Sequence, residues 1–180
     1  MAYKLWFGKY NGTSLEEVAM GKRCPGGGGK QEGYSYFYAL GKGDRKYFGM
    51  FQNQESSMRR WNEIHDGLNN FVSPCSCAVC GKFPAEKMSV AGSGRYGFSM
   101  GKSYICCNDD NCVSSMTSMT STSLYPIAFD TILKFGWGAG SRKFDEEMVA
   151  DLLKELAGWT AKRITPDNAT EFIDRLTIRG

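Results

Sequence analysis

Six of the seven cysteines fall between Cys75 and Cys112, and only Cys24 lies apart. A disulfide framework needs an oxidising compartment and usually an even count. Here the count is odd, Met1 to Leu15 has no apolar signal-peptide core, and one pair is spaced C-x-x-C. Metal binding explains that pattern better. Zinc prefers four tetrahedral ligands, and thiolates from two short knuckles meet that need. Cys77-Ala-Val-Cys80-Gly81 makes a first knuckle, its two-residue spacer aiming both sulfurs at one ion and its glycine relieving the turn. Cys107-Asn-Asp-Asp-Asn-Cys112 makes a wider second one.

The expected ligands of one closed, structural zinc site are therefore Cys77, Cys80, Cys107 and Cys112. Cys75 is an alternative to Cys77, and Cys106 to Cys107. A catalytic zinc keeps an open position and often takes histidine, but the single histidine, His65, falls outside the cysteine-rich segment. Reduced, buried cysteines are the plain alternative to a metal.

The pattern along the chain predicts an α+β protein in three regions: 1–72, an α+β unit; 73–123, the zinc module; and 124–180, helical. In the first, Tyr3 to Phe7 reads as a strand, and Thr13 with Glu16 reads as a capping box. Tyr34 to Leu40 reads as a strand with Tyr34, Tyr36 and Tyr38 on one face, and Arg45 to Phe51 as its return. Met58, Trp61, Ile64, Leu68 and Phe71 recur at helical spacing from Asn53 to Asn70, with Arg59, Arg60 and Glu63 outward. In the second, Ser89 to Tyr104 suits a β-hairpin, while 114–123 fits either a linker or a helix. In the third, Pro126 to Phe135 reads as a short helix. Asp145 caps a helix with an apolar stripe from Met148 to Leu156, and Thr165-Pro166 opens the last one, burying Ala169, Phe172, Ile173 and Leu176.

No run approaches the roughly 18–20 apolar residues of a membrane helix, so a soluble, cytoplasmic protein without membrane contact is expected. No constellation argues for an enzyme. Cys24 with His65 as its base is not brought together by any pattern, and Gly26 to Lys30 lacks the Ser or Thr of a phosphate loop, Gln31 standing there instead. The paired acids Glu16-Glu17 and Glu146-Glu147 fall in first turns of expected helices, where carboxylates favour the dipole. More suggestive are Tyr34, Tyr36 and Tyr38 beside Lys42, Arg45 and Lys46, with Arg59 and Arg60 on the following helix. Exposed aromatics beside cations can stack bases and neutralise phosphates. Core tyrosines beside solubilising cations are the equal alternative.

Phe7-Gly-Lys-Tyr-Asn-Gly12-Thr-Ser-Leu-Glu-Glu-Val18 resembles a small domain of phage and bacterial proteins, found also at the C-terminal end of exodeoxyribonuclease X-like proteins. There the pattern F-G-K-Y-x-G precedes a short helix and an aromatic-rich segment. Arg45 to Phe51 followed by the Glu55 to Asn70 helix is similar to the sheet-plus-helix DNA-binding units of ethylene-response-factor type and of integrase arm-binding domains. Both resemblances imply nucleic-acid partners, and neither carries over a catalytic residue. The expectation is a non-enzymatic, zinc-containing accessory protein of phage or mobile-element type that binds DNA or RNA. A regulator or inhibitor docking on a host nucleoprotein complex is the alternative.

Overall fold

The computed structural model describes residues 2–22, 24, 30–43, 46–89, 91–92, 98–99, 104–131, 148–159 and 164–179. The fold is α+β, and it divides into two compact units: Met1–Gly67 with Lys162–Gly180, and Leu68–Ala161. The three consecutive regions read from the sequence differ from this division, because the last helix belongs with the N-terminal segment.

The first unit holds α1 (Leu15–Ala19), α2 (Lys30–Lys42), α3 (Lys46–Gln52) and α4 (Glu55–Asn69), whose last turn carries the unit boundary. Tyr3 to Phe7 is not a strand. Only an isolated bridge, Lys4 to Ser14, forms there, and Gly8–Tyr10 is a 3-10 turn. The capping box sits one residue later than the sequence suggests. Ser14 accepts from the Glu17 amide, and the Glu17 carboxylate accepts from the Ser14 amide at 2.8 Å. Glu16 is thereby freed to turn inward.

The larger correction concerns Tyr34 to Leu40 and Arg45 to Phe51. The first is helix α2, and the second, where described, is helix α3, so the sheet implied by the second resemblance is absent from this segment. Helical spacing separates the three tyrosines. Tyr36 is buried against Tyr10 and Phe48, while Tyr34 and Tyr38, four apart, share another face. Two glycines let α2 pack closely. A Cβ on Gly33 would stand 2.7 Å from the Lys22 carbonyl oxygen, and one on Gly41 would run into the Trp61 ring. Trp61 is fixed there, stacking on Phe37 and donating its indole N–H to the Phe37 carbonyl at 2.8 Å.

Arg60 does not point outward. Its Nε donates to the buried Glu16 carboxylate at 2.8 Å, Nη1 to Glu63 at 2.9 Å and Nη2 to Asp174 at 2.6 Å. Burial would lower its pKa, but the carboxylates of Glu63, Asp174 and Glu16 overcome that and raise it, so the guanidinium stays charged. Asp174 lies on the helix Ala169–Arg179, whose buried residues Ala169, Phe172, Ile173 and Leu176 are those expected. Thr165 opens this segment by capping the turn Pro166–Asn168, and the Asn168 side chain accepts from its amide.

The second unit is built on a three-stranded antiparallel sheet of order β4-β1-β5: β1 (Lys87–Ser89), β4 (Ile105–Cys106) and β5 (Leu124–Pro126). Lys87 pairs with Cys106 on one side and Pro126 on the other. A separate pair, β2 (Ala91–Gly92) and β3 (Phe98–Ser99), forms within the expected hairpin. Helix α5 (Asp110–Thr120) resolves the choice at 114–123, ending at Ser121 in a left-handed conformation. Met116 is buried on it and Met119 exposed. Pro126 closes a strand rather than opening a helix, and the helical stretch begins at 129. Helix α6 (Met148–Ala157) buries Leu152 and Leu153 and stops at Gly158, with φ of 62°. Its expected cap, Asp145, and the Gly26–Gly29 stretch lie outside the described residues. The helix Ala169–Arg179 is α7.

Candidate functional site

The cysteines come together through ordinary backbone hydrogen bonds. The first knuckle is a tight loop in which the Cys77 amide donates to the Lys82 carbonyl at 2.8 Å and the Gly81 amide to the Cys77 carbonyl at 2.9 Å. Gly81 takes φ of 74°, which a side chain would resist. The Ala78 amide donates to the Ile105 carbonyl at 3.0 Å, which tethers this loop to β4 and so to Cys107. The second knuckle leads into α5. Asp109 caps that helix, its carboxylate accepting from the amides of Asn111 and Cys112 at 3.1 and 3.3 Å. Asp109 thus orients a cysteine-bearing helix turn, and Asp110 lies in that first turn.

The result is one cluster. The sulfurs of Cys77, Cys80, Cys107 and Cys112 all lie within 4.8 Å of one another, and those of Cys80 and Cys107 are 3.7 Å apart. A tetrahedron of thiolates with metal–sulfur bonds of ~2.3 Å has edges of ~3.8 Å, so the set can hold one metal ion. Cys75 and Cys106, the alternatives, are buried but stand outside the set. Cys77, Cys107 and Cys112 are buried with Cys106 and Met116, and Val113 and Leu124 pack against them. Cys80 alone of the four is exposed.

Four thiols this close cannot all ionise without a cation between them. Burial pushes the Cys77 thiol up, but amide donors from Cys80, Cys107 and Val79 overcome it and bring the pKa to about 6. Burial raises Cys112, as do the neighbouring thiols of Cys80, Cys107 and Cys77. For Cys107 the Asp109 amide works downward, but burial and the competing thiols of Cys80 and Cys77 leave it raised. One thiolate is thus favoured in advance, and a bound cation would relieve the rest. Four thiolates would complete the shell of a tetrahedral ion held there.

The residues expected at a nucleic-acid surface fare unequally. Tyr36 is core, and Arg60 is committed to three carboxylates. Arg45 and the side chain of Lys46 lie outside the described residues. Tyr34 and Tyr38 remain half-buried, with ring centroids 4.5 Å apart, and Lys42 and Arg59 are exposed. His65 joins this group. Its ring lies 5.5 Å from Tyr38 and stacks on Trp61 at 4.8 Å, while Nδ1 meets Asp66 at 3.2 Å. The structure therefore forms an aromatic stripe, Tyr34, Tyr38, His65 and Trp61, with Lys42 four residues beyond Tyr38 on the same face of α2. Sequence reasoning missed His65 because the contact joins two helices. The Cys24 thiol faces the Lys9 carbonyl at 3.6 Å.

No helix among the described residues is long and apolar enough to cross a membrane. No family model matches the chain, and comparison with curated proteins and with solved structures gives no match.

Proposed function

We propose that this chain is a non-enzymatic zinc protein that binds single-stranded DNA or RNA through its first unit, an accessory protein of phage or mobile-element type working in the cytoplasm. The metal assignment follows from donor chemistry. Four thiolates in a tetrahedron suit zinc, which holds a structural site closed and brings no redox chemistry of its own. Free thiols in such number also suit a reducing compartment.

The observation that carries the binding role is the aromatic stripe ending at Lys42. Half-exposed rings offer unpaired bases a stacking surface, and the exposed cations Lys42 and Arg59 supply phosphate contacts. Charge supports the same choice of unit. Residues 1–67 and 162–180 carry 14 Lys/Arg against 10 Asp/Glu, a net +4, whereas 68–161 carry 8 against 9, a net −1. Zinc with four thiolates adds about −2 to the second unit, so phosphates are favoured on the first.

The test is binding of a labelled single-stranded oligonucleotide at low salt. Tyr38→Ala should cost about 1–3 kcal/mol if one base stacks there. The double variant Lys42→Glu with Arg59→Glu should weaken binding and reduce the salt slope by about 2. No affinity at low salt, or affinity indifferent to all three changes, would sink the reading. A second reading, docking on a host nucleoprotein complex, is favoured by the metal knuckle, where Val79 is 40% and Phe83 62% exposed. A protein complex that survives roughly molar salt would support it, because phosphate-driven binding collapses there.

A further inference from the structure

We propose that Cys80 and Cys107 form an oxidation site, where a peroxide joins the two thiolates in a disulfide and opens the metal shell. This rests on the zinc reading above. Its basis is an asymmetry among the four ligands. Cys77, Cys107 and Cys112 are buried, whereas Cys80 is exposed and is the sulfur an oxidant in solution can reach. The Cys80 sulfur also stands 3.7 Å from that of Cys107, across from its own knuckle. Cys77 is held in place, its amide and carbonyl both bonded within the loop and the Ala78 amide tied to β4. Cys80 lies on the outer part of that loop, where residues 78 to 83 are all exposed. The exposed sulfur is thus also one that lies against a sulfur of the second knuckle.

The chemistry takes two steps. The Cys80 thiolate attacks one oxygen of the peroxide, and the O–O bond breaks. Cys80 becomes a sulfenic acid, and the departing hydroxide takes a proton to become water. The Cys107 thiolate then attacks the Cys80 sulfur. The S–S bond forms, the S–O bond breaks, and the second hydroxide is also protonated to water. Two thiolates each lose one electron, the peroxide gains two, and two protons are consumed. Cys77 and Cys112 are then the only ligands left, too few for a closed tetrahedral site, so the ion is released.

The test uses the full-length zinc-loaded chain, its zinc content measured before any oxidant is added. Hydrogen peroxide is then titrated in, released zinc is read with a chelating dye, and disulfides are located by tryptic mass spectrometry. Trypsin places Cys75, Cys77 and Cys80 on the peptide 61–82, and Cys106, Cys107 and Cys112 on the peptide 103–134. The expected result is loss of about one zinc per chain, the stoichiometry of one tetrahedral site, together with a cross-link between the two peptides. A dithiol reductant with added zinc should reverse both. The variant Cys75→Ser with Cys106→Ala should behave the same, which assigns the cross-link to ligand thiols. Zinc retained under peroxide, or released with a disulfide confined to the peptide 61–82, would overturn the proposal while leaving the zinc reading intact. Absence of zinc from the starting protein would overturn both.

Discussion

The two units are stabilised by different means. The first has a dense aromatic core, in which Phe7, Tyr10, Tyr36, Phe37, Phe48 and Phe51 are buried, and an internal ion network centred on Arg60. The second gathers around three short strands and a cluster of thiols, with Met116 and Met88 among its fully buried side chains. A sheet with strands of two and three residues contributes few ladder bonds. The comparison teaches that the first unit is packed by its own side chains, whereas the second brings together four sulfurs that could hold a metal ion.

Removing the metal is the strongest way to break this contrast. Structural zinc contributes ~10–16 kcal/mol in small sites, so a chelator, or Cys112→Ala, should expose the amides of β1, β4 and α5 to hydrogen exchange. Helices α2 and α4 should stay protected. Equal loss in both units would show that the first also depends on the metal. Cys106→Ala, which removes a buried thiol outside the ligand set, should leave metal content unchanged.

Acid should separate the units in the same order. Against burial, amide donors hold the Cys77 thiol below its ordinary value and so favour the deprotonated form that a metal requires, an advantage that falling pH removes. Protons then compete for the ligands, and metal should leave the second unit first. In the first unit, burial pushes Glu17 up, but Lys22 and the Ser14 amide and hydroxyl bring it below 4.5. That contribution is complete above 4.5 and is lost only as pH falls through the lower folded value. Metal content and helix signal followed down one titration should therefore separate into two transitions.

Two substitutions sharpen the picture of the first unit. Arg60→Ala leaves Glu16, 0% exposed, without its guanidinium partner. Stranding one half of a buried pair costs about 3–5 kcal/mol, to be read as a lower midpoint in urea with metal content unchanged. Gly41→Ala drives a methyl group into the Trp61 ring, and overpacking of this kind costs about 1–3 kcal/mol. Shifted tryptophan fluorescence in that variant would locate the strain at the α2–α4 contact. An unchanged midpoint would mean that the ring yields freely.

The metal cluster was legible because its information is local. Two residues between Cys77 and Cys80, and four between Cys107 and Cys112, fix which sulfurs can converge within each knuckle. What spacing left open was the choice between neighbours, such as Cys106 against Cys107. That choice fell to β4, whose pairing with β1 and tether to Ala78 determine which sulfur faces the loop. The α2 segment failed for the opposite reason. Alternating tyrosines and two glycines match strand and turn preferences, and glycine weakens a helix by ~1 kcal/mol. Packing reversed that preference, because Gly33 and Gly41 allow approaches that larger residues would prevent.

The sequence alone determined the two cysteine knuckles that converge, the amphipathic stripes of α4 and α7, and the stops and starts at Gly158 and Thr165. Each depends on residues a few positions apart, where backbone geometry sets the outcome. Only the tertiary structure decided that Arg60 turns inward to Glu16 and Asp174, and that Tyr38 meets His65 in one stripe. The Arg60–Asp174 pair spans 114 positions, so its energy appears only once the chain has folded back on itself.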